Sequence, residues 1–179
     1  MLQPIINWQP IILEDEILKL IPLTTNDFDA LFLVAADPLI WEQHPIPSRY
    51  KKAEFQLYFD GAITAATSFL IIDKATETVI GCTRYYDYKP EFSSIAIGFT
   101  FLAKKCWGGQ YNKLAKKLLL NYAFNYVDKV YFHIGIANIR SQKAIINIGA
   151  TKVGEVDFDH YGKKLLHYEY VINKNEQKI

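Results

Sequence analysis

Lys105-Cys106-Trp107-Gly108-Gly109-Gln110-Tyr111-Asn112 is the stretch that decides the fold of this 179-residue chain. It joins a β-rich segment, Ser94 to Leu102, to a predicted helix, Tyr111 to Tyr126, which has the clearest helical period in the sequence. The apolar face of that helix comprises Ala115, Leu118, Leu119, Tyr122, Ala123 and Tyr126, and between them lie Lys113, Lys116, Lys117 and Asn121. The sequence therefore predicts a strand, a glycine-containing loop and an amphipathic helix in succession.

This loop is a candidate anion site. A strand that ends in a glycine-containing loop and opens a helix offers unpaired backbone N–H groups and the positive end of the helix dipole. Gly108 and Gly109 let the main chain approach a diphosphate closely, and Lys104, Lys105 and Lys113 supply local positive charge. An ordinary strand-to-helix turn is the alternative interpretation of the two glycines alone.

The strands around this segment predict a mixed sheet. Lys129 to Ile136 follows the helix, so we expect it to run parallel to the Ser94–Leu102 strand through a right-handed crossover. Ser68 to Asp73 and Val79 to Tyr88 are separated by a short polar turn and predict an antiparallel hairpin. Ile17 to Leu23 predicts a further strand.

Two helices are predicted before the hairpin. Thr24 with Asp27 makes a capping-box-like start for the first, which should stop at Asp37-Pro38. A polar loop, Ile40 to Tyr50, leads to the second. The buried faces are predicted to carry Phe28, Leu31, Phe32 and Ala35 in the first helix and Phe55, Tyr58, Phe59 and Ala62 in the second.

The last part of the chain predicts a short helix and a hairpin. The helix runs from Ser141 to Ile148, with Gly149 as a left-handed C-cap. Thr151 to Phe158 and Leu165 to Ile172 are expected strands, joined by a turn at His160-Tyr161-Gly162. We expect residues 1–16 to be a lead-in, residues 17–172 to form one domain and residues 173–179 to be a polar tail.

Composition excludes several classes of protein. Half of the residues are hydrophobic and the formal net charge is +1, which indicates a single globular domain with no global field for nucleic acid or an anionic membrane. Cys82 and Cys106 are too far apart for a CxxC motif and too few for a disulfide framework or a metal cluster. Ala62 to Ile72 is too short to span a bilayer, and Met1 to Trp8 lacks a leader pattern. We expect a cytoplasmic protein.

The order of mixed strands, glycine loop, amphipathic helix, parallel strand and Asn-x-x-Ser helix resembles the GNAT superfamily of N-acetyltransferases, particularly its ribosomal-protein acetyltransferase-like branch. The resemblance runs from about Trp8 to Ile172. It implies an α/β (α+β) fold whose mixed, mostly antiparallel twisted sheet has helices on both faces and a parallel pair splayed at the cofactor site. The family's loop pattern, Gln or Arg, two residues, Gly, one residue, then Gly or Ala, falls on Lys105, Gly108 and Gln110.

The resemblance also implies that acetyl-CoA is the acetyl donor. The main chain at the end of the Ser94–Leu102 strand would bond the pantetheine arm, and the glycine loop would take the pyrophosphate. In Asn138-Ile139-Arg140-Ser141, Asn138 would bond pantetheine and Ser141 would lie near the thioester. The implied cofactor-binding residues are Thr100, Phe101, Leu102, Lys105, Trp107, Gly108, Gly109, Gln110, Tyr111, Asn112, Asn138 and Ser141. Turn and N-cap roles are the alternative interpretation of Asn138 and Ser141.

At the two positions where the family usually carries proton-transfer residues, this sequence has side chains that cannot titrate. A Glu on the strand before the loop and a Tyr on the helix after the Asn motif fall on Ala96 and Ile145. The catalytic candidates are therefore Glu42 and His44 as the base, in a loop that by resemblance borders the acceptor site, and Ser141 as the thiolate's proton donor. A solvated loop is the alternative interpretation.

Other titratable or aromatic residues have structural interpretations. His133 reads as a packed strand histidine, whereas His160 and His167 are candidates for the pocket rim. Tyr86 and Tyr88 share a strand face and read chiefly as sheet packing, with an acceptor cleft as the alternative. Cys106 reads as a small buried thiol rather than a nucleophile.

The expected function is acetyl transfer to a primary amine, either a peptide or protein N-terminus or a small molecule, by direct attack in a ternary complex. Deprotonating a lysine near pH 7.4 costs roughly 4 kcal/mol and a peptide α-amine about 0.5, so a weak base suits an α-amine. A catalytically silent acyl-CoA binding module and a structural domain without a nucleotide site stay open. The oligomeric state is open too, a homodimer included.

Overall fold

One eight-stranded sheet runs through residues 5–160 and 162–176, which are the residues that the computed structural model describes. The strands are β1 (Leu13–Glu14), β2 (Leu18–Pro22), β3 (Ser68–Asp73), β4 (Thr78–Lys89), β5 (Ser94–Leu102), β6 (Lys129–Gly135), β7 (Thr151–His160) and β8 (Lys163–Asn173). The helices are α1 (Phe28–Ala35), α2 (Pro38–Trp41), α3 (Lys52–Ala65), α4 (Tyr111–Ala123) and α5 (Ile139–Ile146). The strand order is β1-β2-β3-β4-β5-β6-β8-β7.

Strands β5 and β6 form the parallel pair, and the other neighbours in the sheet are antiparallel. The pairing of β5 with β6 covers only three residues on each strand and ends at Ala96 opposite Tyr131. Beyond that pair β5 continues to Leu102 and β6 to Gly135 without bonding each other. The mixed sheet with a splayed parallel pair is therefore confirmed.

Helices pack on both faces of the sheet, as expected. Alternation along β3 sends Phe69 and Ile71 into a core with α4 and α5, whereas Leu70 and Ile72 face α1, α2 and α3. Each face thus has its own apolar core, and the opening between β5 and β6 lies where the two layers of helices meet the sheet.

Local signals in the first half of the chain are confirmed. Thr24 and Asp27 form the capping box, with the Thr24 N–H donating to the Asp27 carboxylate at 2.7 Å. The expected buried residues of the second helix, among them Phe55 and Tyr58, are buried in α3. The hairpin of β3 and β4 pairs as expected, and β4 extends one residue further at each end.

Several details of the predicted elements were wrong. Asp37-Pro38 ends α1 but also starts α2, because Asp37 caps it by accepting from the Leu39 N–H and Pro is favoured in a first helical turn. The loop Ile40–Tyr50 consequently carries the end of α2 and a 3₁₀ turn at Pro47–Tyr50. Two helices stop early: α4 at Ala123, and α5 at Ile146, three residues before the left-handed Gly149. Helix α5 also begins at Ile139 rather than at Ser141, because Asn138 is its N-cap.

Another concerns Lys116, which the helical pattern places among the polar residues of α4. It is only 3% exposed, because the hydroxyls of Thr83 and Thr100 offer its ammonium polar partners inside the interface with the sheet. A long side chain can bury its stem only where its charged end finds such partners.

The two ends of the chain differ in what the structure describes. Trp8 is buried against the rings of Tyr85, Tyr88, Tyr122 and Tyr126. Of the expected tail, Asn173 ends β8 and residues 174–176 form a 3₁₀ turn. Residues 1–4, Tyr161 of the predicted turn and residues 177–179 lie outside the described residues. In the part described, no helix has the length and apolar character needed to cross a membrane.

Candidate active site

A cavity of about 710 Å³ opens where β5 and β6 part. Its walls come from the end of β5, the glycine loop, the first turns of α4, β6, α5 and the loop after α2. Of the expected cofactor residues, it is lined by Thr100, Phe101, Leu102, Trp107, Gly108, Gly109, Asn112, Asn138 and Ser141. Lys105, Gln110 and Tyr111 do not line it, and the Tyr111 hydroxyl instead donates to the Asp73 carboxylate at 3.2 Å.

One end of the cavity is formed by exposed main chain. Gly108 has φ +70°, a conformation that favours glycine. A Cβ added at Gly109 would meet nothing within 4 Å, so protein packing does not require a glycine there. The side chain of Gln110 does not cap α4, which leaves first-turn N–H groups available to a ligand.

Strand β5 turns irregular as it borders the cavity. Phe99 and Thr100 lie opposite the single residue Thr83 of β4, and Phe99 has φ +51°. This is a β-bulge, a feature that re-aims a strand edge. On the side of β6 the edge of β5 has no partner strand after Ala96 in the described part of the chain, so a ligand with amide groups can pair with it.

The start of α5 is fixed by an N-cap. The Asn138 side-chain oxygen accepts from the Ser141 N–H at 3.1 Å, and the Asn138 side-chain NH₂ has no bonding partner among the described residues. The side-chain oxygen of Asn138 therefore acts as the N-cap, and its side-chain nitrogen remains available to a ligand.

Arg140 joins the start of α5 to the loop after α2. Its guanidinium donates to the Ile40 carbonyl at 2.9 Å and to the Glu42 carboxylate at 3.3 Å, and lies 3.9 Å from the centre of the Trp107 ring. Its main-chain N–H donates to the Gln43 side chain at 3.1 Å. Glu42 is exposed and does not line the cavity, so its carboxylate faces Arg140 rather than the interior.

His44 lines the cavity at the other end. The Ile46 N–H lies 2.9 Å from Nδ1, and the Arg49 guanidinium lies 3.0 Å from Nε2. Burial, followed by the positive charge of Arg49, lowers the pKa of His44 well below its usual value. The ring is therefore neutral near pH 7; because Nδ1 accepts from the Ile46 N–H, the ring's one proton lies on Nε2, beside the Arg49 guanidinium.

The cavity wall carries one sign of charge. Its charged residues are Arg49, Lys113, Lys116, Arg140 and Lys143, and no Asp or Glu among the described residues lines it. A concave wall of this kind concentrates anions. The formal net charge of +1 does not reveal this asymmetry.

Lys116 is the buried lysine among these cations. Its ammonium donates to the Thr100 hydroxyl at 2.6 Å and approaches the Thr83 hydroxyl at 3.4 Å. Burial lowers the pKa of Lys116 to about 7. Sequence reasoning missed this residue, since its partners come from two different strands.

Sequence reasoning assigned only a packing role to His133, which the structure places at the cavity wall with two polar partners. His133 lines the cavity, its Nδ1 lies 2.7 Å from the Tyr86 hydroxyl, and its Nε2 lies 3.3 Å from the Glu169 carboxylate. The three residues belong to β6, β4 and β8. The alternation of Tyr131 and His133 indicates their common face, but no sequence signal shows that Tyr86 reaches across β5.

The remaining cysteine and histidines near the cavity are not arranged for a nucleophile or a metal ion. Burial raises the pKa of the Cys106 thiol, which disfavours the thiolate that a nucleophile requires. His160 and His167 lie with their Nε2 atoms 3.2 Å apart, and burial lowers the pKa of each. Within residues 5–160 and 162–176, no three His, Cys, Asp or Glu side chains are grouped to hold a metal ion.

Comparisons with known proteins agree with this architecture. The model of the acetyltransferase (GNAT) domain matches residues 18–151. A GCN5-related N-acetyltransferase from Brucella melitensis is 21% identical, with a TM-score of 0.77 over 92% of this chain and 79% of that one. A probable GNAT-family acetyltransferase from Chromobacterium violaceum is 18% identical, with a TM-score of 0.80 over 93% and 87%.

A third solved structure has a bound ligand. Mycobacterium smegmatis RimJ in complex with CoA-disulfide is 15% identical, with a TM-score of 0.66 over 90% of this chain and 84% of that one. No protein with a curated description matches the chain. These structural likenesses confirm the fold class that the sequence predicts.

Proposed function

The chain belongs to the acetyltransferase (GNAT) domain family, and from that premise we propose that it transfers the acetyl group of acetyl-CoA to a primary amine by direct attack in a ternary complex. The observation that carries this proposal is the cavity between β5 and β6. It runs from the glycine loop at Gly108 to His133, so a donor and an acceptor can enter one continuous space.

The residues of the cavity fit acetyl-CoA. Main-chain N–H groups from Gly108 to Asn112 would hold the diphosphate, helped by Lys113 and by the charge of the nearby Lys105. The open space in front of Gly109 is what close approach of a phosphate requires. The edge of β5 at Thr100–Leu102 and the side-chain NH₂ of Asn138 would bond the amide groups of the pantetheine arm. Acetyl-CoA supplies an activated acetyl thioester.

The acceptor that we propose is an amine of low pKa that loses its proton at little cost near pH 7, such as a peptide α-amine. A polyamine brings several ammonium groups, and the described cavity wall offers them cations but no carboxylate. Burying a cation without a counter-charge costs several kcal/mol. An α-amine with a pKa near 7.8 gives the neutral nucleophile near pH 7.4 at a cost of only about 0.5 kcal/mol.

Among the catalytic candidates, Ser141 fits its role best. It lines the cavity next to Asn138, and we propose that it passes a proton to the departing thiolate, an undemanding step because a thiol pKa is about 8.5. Glu42 is proposed to hold Arg140, which its carboxylate contacts. His44 is proposed to shape the acceptor end as a neutral ring, because its Nδ1 lone pair is taken by the Ile46 N–H and its Nε2 lies against the Arg49 guanidinium.

The test is CoA release from acetyl-CoA with a panel of amines: a dipeptide, Nα-acetyl-lysine, spermidine and an aminoglycoside. We expect the dipeptide to give the highest kcat/KM near pH 7.5 and spermidine the lowest. Turnover of spermidine above the dipeptide would contradict the acceptor class.

A catalytically silent acyl-CoA binding module is the second candidate, favoured by Ala96 and Ile145 at the positions where the family carries its acid and base. Binding of CoA without turnover of any amine would establish it. Absence of CoA binding would instead leave a structural domain.

A further inference from the structure

The first titratable side chain beyond the point where β5 and β6 part is His133. Pairing of the two strands ends at Ala96 and Tyr131, and His133 follows Tyr131 by two residues, so it lies on the same face of the sheet. Ala96 presents only a methyl group to that face. The imidazole of His133 borders the cavity there, although its side chain is only 8% exposed.

His133 is held at both nitrogens by side chains from two other strands. The Tyr86 hydroxyl of β4 lies 2.7 Å from Nδ1. The carboxylate of Glu169, the direct cross-strand neighbour on β8, lies 3.3 Å from Nε2. Three strands therefore build one hydrogen-bonded chain of hydroxyl, imidazole and carboxylate.

A glycine on the intervening strand makes this chain possible. Gly98 of β5 lies between β4 and β6, and a Cβ added to it would come within 2.8 Å of Tyr86 Cε1. The Tyr86 ring thus crosses β5 over the space that a side chain would fill. Gly98 and His133 line the cavity, whereas Tyr86 does not, so the Tyr86 hydroxyl meets Nδ1 of His133 behind Gly98 rather than in the cavity itself.

The proton positions along the hydrogen bonds from Tyr86 through His133 to Glu169 follow from which groups can donate. Burial raises the pKa of Tyr86, so the hydroxyl keeps its proton and donates to Nδ1 of His133. The neutral ring then carries its own proton on Nε2 and donates it to Glu169. When Nδ1 takes up a proton as well, the imidazolium can donate to the tyrosine oxygen and to the carboxylate.

Other groups around His133 are few. Asp87 and Lys89 of β4 line a second, smaller cavity together with His133 and Glu169. His167 of β8 is close enough for His133 to contribute to lowering its pKa, and Phe158 of β7 packs its ring 5.6 Å from the imidazole. Among these groups Glu169 is the charged one within hydrogen-bond reach.

We propose that His133 is the general base of the acetyl transfer, reached through the Tyr86 hydroxyl and positioned by Glu169; this rests on the proposed function. The acceptor nitrogen passes its proton through a water molecule beside Gly98 to the Tyr86 oxygen, while the Tyr86 proton moves to Nδ1. The nitrogen lone pair forms the bond to the acetyl carbon, the C–S bond breaks, and the sulfur keeps that electron pair. The thiolate takes a proton from solvent through Ser141.

The test compares variants in pairs. His133→Asn removes the base, Glu169→Gln is matched by Glu155→Gln on the same hairpin, and Tyr86→Phe is matched by the exposed Tyr126→Phe. For each we would measure kcat and KM for a dipeptide acceptor between pH 6 and 10, together with the Kd for CoA by calorimetry.

The expected results differ from those of a structural role. His133→Asn lowers kcat at pH 7 by at least about 100-fold with the CoA Kd unchanged. Glu169→Gln moves the acid limb of the rate profile to lower pH, because an amide no longer stabilises the imidazolium. Tyr86→Phe lowers kcat, while Glu155→Gln and Tyr126→Phe leave it unchanged.

Different results would overturn the role of His133 and the proposed acetyltransferase activity. If wild-type protein acetylates amines and His133→Asn does so with the same kcat and pH profile, the base assignment is overturned and the function stands. If the wild type binds CoA but acetylates no amine, both are overturned. Should His133→Asn fail to fold, an unmoved acid limb in Glu169→Gln overturns the assignment on its own.

Discussion

At the scale of single residues, Lys116 couples the cavity to the stability of the fold. Its ammonium is buried with the Thr83 and Thr100 hydroxyls as partners, and its pKa is lowered to about 7 by burial. In the unfolded chain a lysine has a pKa of about 10.4. Between pH 7 and about 10.4 the unfolded chain binds more protons than the folded chain, so the free energy of unfolding rises with pH. Below about pH 7 Lys116 is protonated in both states, so its destabilising effect on the fold no longer changes with pH.

Replacing Lys116 with Met should remove this pH dependence. The free energy of unfolding of wild type is expected to rise relative to the variant by up to about 1.4 kcal/mol per pH unit between pH 7 and 10. At pH 7 the Met variant should be the more stable, because Thr83 and Thr100 bond each other without the ammonium. Urea denaturation at pH 7, 8 and 9 measures this, with the exposed Lys117→Met as control. A difference that is flat with pH would contradict the assignment.

Substitution of Gly109 should weaken CoA binding without destabilising the fold. Because an added Cβ meets nothing within 4 Å and φ is not positive there, Gly109→Ala should change the free energy of unfolding by less than about 0.5 kcal/mol. The methyl group projects into the space assigned to the diphosphate, so the CoA Kd should rise about 10-fold or more. Calorimetry checks this against Gly61→Ala, whose Cβ lies on α3. Equal CoA affinity in both variants would rule out the diphosphate position.

At the scale of elements, the N-terminal lead-in contributes to the core. Trp8 packs against tyrosines of β4 and of the α4 segment, and the Tyr122 hydroxyl donates to the Asn7 carbonyl at 2.6 Å. Trp8→Ala is expected to lower the free energy of unfolding by about 3–5 kcal/mol. Trp8 does not line the cavity, so the folded variant should bind CoA as wild type does.

Denaturant unfolding and calorimetry test this prediction, with Trp8→Phe as the variant that restores part of the loss. A loss below about 1 kcal/mol in Trp8→Ala would show that the lead-in rests on the domain without stabilising it.

The elements also show how far sequence reasoning reaches. The hairpin of β3 and β4, the glycine loop and the start of α4 follow from local periods and turn residues, and these were predictable. The N-cap and first-turn proline of α2, Asp37-Pro38, were an available signal that was interpreted only as a stop.

The candidate site was only half predictable, for a physical reason. Its cofactor end depends on one continuous segment around Gly108, which a local pattern can reveal. Its acceptor end depends on Tyr86, His133 and Glu169, which come together only through the register of four strands. Register between distant segments is set by packing of the whole sheet, and a single sequence does not display it.

At the scale of the whole molecule, charge is distributed unevenly. The chain is nearly neutral, with a formal net charge of +1, yet the described cavity wall has five cations and no carboxylate. Attraction of CoA phosphates should therefore be local and sensitive to salt. We expect the CoA Kd to rise roughly 10-fold between 0.05 and 0.5 M KCl. The uncharged fragment pantetheine is the control, and salt dependence equal for both ligands would contradict an electrostatic cavity.

The most direct test of the cofactor placement is a crystal structure of this chain with acetyl-CoA. The expected complex has diphosphate oxygens within hydrogen-bond distance of main-chain N–H groups between Gly108 and Asn112, and the thioester between β5 and β6. Diphosphate on another surface, or a cavity that stays empty at millimolar acetyl-CoA, would contradict it.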